Sequence, residues 1–229
     1  MGAIYLIRHG QASFGAGDYD QLSTLGSEQA GVLGRALAAR GVTPDLVVCG
    51  ELRRHRQTAQ GCLTAMQRTA QWQEDPAWNE YDHEMMIEAY RPRFRDKALM
   101  MAELAATPNP RRAFQDIFAE GMKRWISGEH DADYAETWCG FCGRVEAGVQ
   151  RLRETLGRSK TALVFTSGGP ITAVVRERLA LTDLHAAQLN WTLANAAVTK
   201  LIYSERGLYL SSFNEHAHFE HDSRLISYR

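Results

Sequence analysis

The chain of 229 residues contains no run of about 18 apolar residues, which excludes a membrane-spanning helix. It has no excess of either charge. Twenty-six Lys and Arg face 27 Asp and Glu, a formal net charge of −1, so no global field draws it onto nucleic acid. Cysteine is scarce: four residues at irregular spacing do not make a disulfide framework and read as reduced thiols. Internal repeats and low-complexity segments are lacking too. The start, Met1 to Leu6, has no basic segment followed by a long apolar one, and Leu6 stands where a myristoylation pattern needs Ser or Thr. What is present is ordinary globular usage, 45% hydrophobic and 23% charged, which excludes a disordered tail or a collagen-like fibre. A chain this long can bury a large core. The expectation is a soluble, cytoplasmic protein that contacts neither membrane nor nucleic acid and needs no cofactor.

Apolar patterning then sets an order of elements. Ala3 to Ile7 is a short β-branched run that reads as a buried strand. A polar, glycine-bearing loop from Gly10 to Gly26 leads to a helix with Ala30, Leu33, Gly34 and Leu37 on one face and Gly41 past its end. Leu46 to Cys49 is a second strand, about Leu52 to Met66 a second helix, and a weaker extended piece lies near Gln71 to Trp78. From about Asp82 to Ala135 no strand pattern appears, and Pro92, Pro108 and Pro110 break the segment. It reads as a helical cap inserted into the framework. A helix from about Thr137 to Leu156 and a strong strand, Thr161 to Thr166, follow. The strand ends in Ser167-Gly168-Gly169-Pro170 and runs into a helix through Leu179. Two late strands, about Ala197 to Tyr203 and Leu208 to Phe213, flank a tight turn. This alternation predicts a single three-layer α/β domain, a mainly parallel sheet with helices on both faces.

In such sheets ligands bind beyond the C-terminal strand ends. Those ends carry Arg8-His9-Gly10-Gln11, then Glu51-Leu52-Arg53-Arg54, then Ser167-Gly168-Gly169. Arginines, a histidine and a glycine turn suit a phosphoryl group: each guanidinium offers a planar fork to two oxygens, and N–H groups at a helix start add to it. A neutral imidazole can attack phosphorus and carry the phosphoryl group covalently. Gly10 is expected to let the backbone approach the phosphate closely.

Several segments in the right order resemble the histidine phosphatase superfamily, the phosphoglycerate mutase-like fold. They are Ile4 to Gln11, Leu22 to Gly26 with Gln29-Ala30, Leu52 to Ala59, Asn79-Glu80, and the strand and turn Val164 to Ile171. The resemblance implies that His9 is the nucleophile, that Arg8 and Arg54 clamp the phosphoryl oxygens, and that Glu80 protonates the leaving alcohol. Arg54, not Arg53, fits the family pattern Leu-x-Arg. Gln11, Ser167 and Gly168 complete the candidate phosphate-binding set, and no metal is implied. A burial-raised carboxyl pKa is required of Glu80 in that role; otherwise it is a carboxylate at a helix start.

The departure from the family is at Gly168, where a second histidine usually stands. Ser167 and the N–H groups of Gly168 or Gly169 are expected to remain as weaker donors. Its loss predicts a phosphomonoester phosphatase of reduced efficiency; the alternatives are a phosphoglycerate mutase-type transferase and an impaired phosphoester-binding protein. The partner expected is a small phosphorylated substrate. His55, where the family prefers Ala, is expected at a partly exposed helix position, the alternative being that it leans toward the phosphate and takes over the missing role; Arg53 and Arg56 are expected on a solvated helix face. Three further features are set aside. Trp138-Cys139-Gly140-Phe141-Cys142 imitates a redox motif without the strand that should precede it. Glu215, His216, His218, His221 and Asp222 read as a polar tail and not a metal site. Arg91, Arg93, Arg95 and Lys97 read as a solvated face that, over a pocket, would meet an anion.

Overall fold

The computed structural model describes residues 1–13 and 20–228; residues 14–19, inside the Gly10 to Gly26 loop, lie outside the described residues. The chain forms two compact units, Met1–Glu80 with Val145–Arg229, and Tyr81–Arg144.

The first unit is built on six strands: β1 (Gly2–Arg8), β2 (Leu46–Cys49), β3 (Gln73–Glu74), β4 (Thr161–Thr166), β5 (Val198–Ser204) and β6 (Gly207–Glu215). They form one sheet in the order β3-β2-β4-β1-β5-β6. β1 to β4 run parallel, and β5 and β6 close the edge antiparallel. The mainly parallel α/β architecture expected from the sequence is therefore present, with two antiparallel strands at one edge. Phe165 pairs with both Ile7 and Cys49. This register puts the C-terminal ends of β1, β2 and β4 side by side.

Side chains alternate along the strands, so Ile7, Cys49, Leu163, Phe165 and Val198 share one face. There they meet Leu33 and Leu37 of α1 (Thr24–Ala39) and Ala59, Cys62 and Leu63 of α2 (Arg53–Ala65). Each fully buried Leu or Ile stabilises by about 1.5–3 kcal/mol, which holds both helices against this face. Ser23 caps α1 by accepting from the Gly26 N–H at 3.0 Å. Burial pushes the Cys49 and Cys62 thiols up to about 12, so both stay protonated in the core.

The weaker extended piece is only the two residues of β3, followed by a 3-10 turn at Pro76–Trp78. After β4 the chain enters α7 (Gly168–Leu179) and then α8 (Asp183–Asn190). The sequence reading misses α8. Thr182 caps it and Asp183 suits its first turn, but its few apolar residues make no clear stripe.

The second unit holds α3 (His83–Tyr90), α4 (Lys97–Ala105), α5 (Pro110–Ile126) and the start of α6 (Trp138–Leu156). Asp82, Asp96 and Asn109 accept from the first free N–H groups of α3, α4 and α5. Tyr81, Trp125, Trp138 and Phe141 form an aromatic cluster with ring centroids 5.2 to 5.8 Å apart. Arg93 and Lys97 pair with glutamates at 2.9 and 3.1 Å, and Arg95 approaches Glu88 at 3.9 Å. Among the described residues no helix is long and apolar enough to cross a membrane.

Candidate active site

Four segments converge at the ends of β1, β2 and β4. His9 follows β1 and is nearly buried, at 5% exposure. Its backbone is fixed from both sides: the N–H donates to Thr166 O at 2.9 Å, and the carbonyl accepts from Ala196 N–H at 3.2 Å and Asn195 Nδ2 at 3.3 Å. The ring is fixed as well. Nδ1 lies 2.7 Å from the Gly10 carbonyl, an acceptor, so Nδ1 carries the proton. Nε2 then presents its lone pair, and the Arg54 Nε–H donates to it at 3.3 Å. Burial first, then the Arg54 and Arg8 guanidinium groups and His55, hold this imidazole well below the usual histidine range, against an opposing pull from the Gly10 carbonyl. His9 is thus an oriented imidazole beside two cations, with an Nε2 lone pair that can act as a nucleophile.

Arg54, 8% exposed, starts α2. Asp20 aligns it. One carboxylate oxygen accepts from Arg54 Nη1 at 2.8 Å and the other from the Arg53 backbone N–H at 2.8 Å, the end of α2 that Leu52 leaves uncapped. The Arg8 guanidinium donates to the Leu193 carbonyl. One turn after Arg54, Thr58 Oγ1 donates to the Arg54 carbonyl at 2.7 Å and accepts from Gly10 N–H at 3.0 Å. Gln57 accepts from Leu22 N–H at 2.7 Å. The Leu52 to Ala59 segment therefore supplies one cation and two residues that tie the loops on which the site stands.

Gln11 is placed in that scaffold: its N–H donates to Gln29 Oε1 at 2.8 Å, and its side-chain oxygen accepts from Ser23 at 2.9 Å. Gln29, fully buried, passes the chain on to Ser227, which donates to Asn195 Oδ1 at 3.0 Å. Asn195 closes the circuit on the His9 carbonyl. Gly10 has a steric role in the scaffold. A Cβ there would lie 2.4 Å from the Gly26 carbonyl oxygen, so its bareness admits the start of α1.

Glu80 is half-buried and accepts from the Gly169 N–H in the first turn of α7 at 3.2 Å. Its carboxyl group thus lies at the start of α7. Ser167 is fully buried, and its Oγ lies 2.6 Å from His55 Nε2. The Gly169 N–H, expected as an uncommitted donor, is held by Glu80, while Ser167 Oγ lies against His55. His55 is the clearest correction: expected to be partly exposed, it is 0% exposed, and its ring centroid lies 5.7 Å from that of His9. The buried face of α2 is Arg54, His55, Thr58, Ala59, Cys62 and Leu63, a stripe at i, i+1, i+4 and i+5. His55 occupies its top turn. Burial, then Arg54 and Arg56, hold its ring well below the usual histidine range. Arg53 is exposed, and Arg56 pairs with Glu74 at 2.7 Å.

Gly168 begins α7 without a positive φ. The Cβ of any other residue would lie 2.1 Å from Asn190 Oδ1 at the end of α8. Asn190 thus fills the space where a side chain at 168 would start, and no signal in the sequence pointed to it. Cys139 is exposed and Cys142 half-buried on α6, His216 faces the Asn214 carbonyl, and His218 faces that of Ala196. Among the described residues no group of His, Cys, Asp or Glu is arranged to hold a metal ion.

A family model, "Histidine phosphatase superfamily (branch 1)", matches residues 4–110 and 105–216. Solved structures agree in fold. A phosphoserine phosphatase from Entamoeba histolytica in complex with phosphoserine superposes with a TM-score of 0.66 at 17% identity, over 95% of this chain and 99% of that one. A phosphoglycerate mutase from Bacillus anthracis gives 0.65 at 18% identity, over 94% of each chain. A mycobacterial glucosyl-3-phosphoglycerate phosphatase gives 0.62 at 21% identity, over 93% of this chain and 99% of that one. A search of curated protein sequences found no match.

Proposed function

From the premise that this chain belongs to the histidine phosphatase superfamily, we propose that it is a phosphomonoester phosphatase that carries the phosphoryl group on His9. The observation that carries this reading is the state of the His9 ring: Nδ1–H tied to the Gly10 carbonyl, Nε2 bare toward Arg54, and the ring kept neutral by burial and cations. In the first step the Nε2 lone pair attacks phosphorus. The N–P bond forms, the bond from phosphorus to the ester oxygen breaks, and Glu80 gives that oxygen a proton. In the second step water attacks phosphorus, Glu80 takes a proton from it, the N–P bond breaks and phosphate leaves. Arg8 and Arg54 supply positive charge to the phosphoryl oxygens throughout.

The substrate class is a small phosphate monoester, acted on in the cytoplasm. Without a histidine at 168, turnover is expected to be slower than a two-histidine site allows, because the missing contact acts on charge that shifts in the transition state. The test is rapid-quench mixing with a ³²P-labelled aryl phosphate. Acid-labile, base-stable label on the wild type, absent from His9→Ala, is the expected result. Label retained in His9→Ala, or phosphate bound without release of alcohol, would refute the hydrolase reading. Including 3-phosphoglycerate as acceptor separates transfer to a hydroxyl from transfer to water.

A further inference from the structure

We propose that His55, acting through Ser167, is a positioning residue for the phosphoryl group and takes over the work of the absent second histidine. This rests on the reading of His9 as the phosphoryl acceptor. Ser167 is the N-cap of α7, the place where a serine side chain ordinarily accepts from the helix's first N–H groups, yet it makes no such bond. Its Oγ lies 2.6 Å from His55 Nε2 instead. Neither side chain is exposed, so solvent does not satisfy the pair from outside.

Position explains what the pair is for. Thr166, immediately before Ser167, pairs with Arg8 and accepts the His9 N–H, so Ser167 stands at the strand end next to the nucleophile. The His55 ring lies beside the His9 ring, 5.7 Å between centroids. A side chain at 168 has no room, because Asn190 Oδ1 fills the place of its Cβ. The donor moves one residue back along the chain. His55 Nδ1 makes no hydrogen bond, so a proton there would be a stranded buried donor; with the proton on Nε2 instead, His55 donates to Ser167 Oγ, and the serine hydroxyl hydrogen is left to point at a phosphoryl oxygen. His55 Nδ1 sits against the Gly50 backbone, where a Cβ would come within 2.4 Å of it, so the ring is confined from both ends. A neutral ring adds a donor here without placing a third buried charge beside Arg8 and Arg54.

The experiment is steady-state kinetics with 4-nitrophenyl phosphate on wild type, His55→Ala, His55→Gln, Ser167→Ala, the double variant His55→Ala/Ser167→Ala, and Asn190→Ala. Thermal melts and the ³²P label on His9 are read in parallel. His55→Ala and Ser167→Ala are each expected to lower kcat by roughly tenfold to a hundredfold, the worth of one hydrogen bond to a charged group. KM should change far less. The double variant should be no worse than the poorer single, since one path carries both effects. His55→Gln, whose amide N–H can reach Ser167, should recover part of kcat. A purely structural role predicts a different pattern: lower melting temperature, unchanged kcat and no rescue, and that result overturns the proposal. Multiplying losses in the double variant, or a loss of kcat in Asn190→Ala with none in His55→Ala, also overturn it. Should His55→Ala fail to fold, His55→Gln and Ser167→Ala decide: both at wild-type kcat would overturn the proposal. A wild type without label on His9 brings down the functional reading itself, and this inference with it. Label present while the His55 and Ser167 variants match wild type brings down this inference alone.

Discussion

Placing a histidine by Gly168→His, where the resemblance puts the family's second one, is expected to fail alone and to succeed once Asn190 is cut back. The obstacle is steric and not conformational, since Gly168 lacks a positive φ while its Cβ would stand 2.1 Å from Asn190 Oδ1. Forcing atoms into an occupied site costs about 1–3 kcal/mol. For a chain of this size that is a fall in melting temperature of roughly 2 to 12 °C. Asn190 ends α8 and is half-buried, so the strain falls on a side chain and not on backbone. Truncation in Gly168→His/Asn190→Ala should remove most of it.

The gain in rate has its own scale. A hydrogen bond from a charged imidazole to the phosphoryl group is worth about 1.5–3 kcal/mol, or about tenfold to a hundredfold in rate. The low end is expected, because Ser167 already offers a donor nearby. The assay is kcat/KM on one aryl phosphate, with melts, for the wild type, both single variants and the double. The signature is coupling: the double variant both faster and more stable than the two singles predict. A Gly168→His protein that melts with the wild type and turns over faster would show that Asn190 does not hold that space.

Two further outcomes follow from the same geometry. Arg8→Ala and Arg54→Ala should each weaken inorganic phosphate binding by roughly tenfold or more in calorimetry, as each removes a guanidinium from the proposed phosphate site; unchanged affinity in both would mean the pocket lies elsewhere. Gly10→Ala should destabilise strongly in chemical denaturation, because its Cβ would meet the Gly26 carbonyl at 2.4 Å and backbone cannot swing aside. Gly31→Ala is the control: on α1, with only Arg35 Nη1 near at 3.5 Å, it should stabilise by about 0.5–1 kcal/mol.

Legibility in the sequence followed the strength of the local pattern. Strands such as Leu46–Cys49 and Thr161–Thr166 are short apolar runs between polar turns, and their bounds were readable to the residue. α8 was not, because a helix whose buried residues are only Ala186 and Ala187 has no stripe to read. The same limit hid Asn190. His55 is a different case: it stands four residues before Ala59 and seven before Cys62, so the helical period already placed it inward. Chemistry-bearing residues invite a reading by type, and here position outweighed type. The tie through Gln29, Ser227 and Asn195 joins residues almost two hundred positions apart, and nothing local announces such a pairing.

The buried histidines also fix how stability responds to acid. His9 and His55 have folded values well below 6.5, and burial brings His218 down to about 4. Unfolded, each imidazole returns to the ordinary value near 6.5. Below that pH the unfolded chain takes up protons that the folded chain refuses, so stability falls as pH falls. Above about pH 7 both states are neutral and the term vanishes. Between 6.5 and the folded values each group contributes a slope of up to about 1.4 kcal/mol per pH unit. The lowered carboxylates, Asp45, Glu74, Asp133 and Asp222, act only further into acid, so the window from about pH 6.5 to 5 belongs to the histidines. Urea midpoints measured from pH 8 to 5 should be flat and then decline. His55→Gln, which cannot titrate, should make the decline shallower by about one proton's worth of slope. Saturating phosphate should oppose the decline, because an anion between Arg8, His9 and Arg54 makes protonation of the neighbouring rings less costly. A midpoint that rises as pH drops through 6.5, or a His55→Gln curve parallel to wild type, would mean that these rings are not the buried neutral groups described.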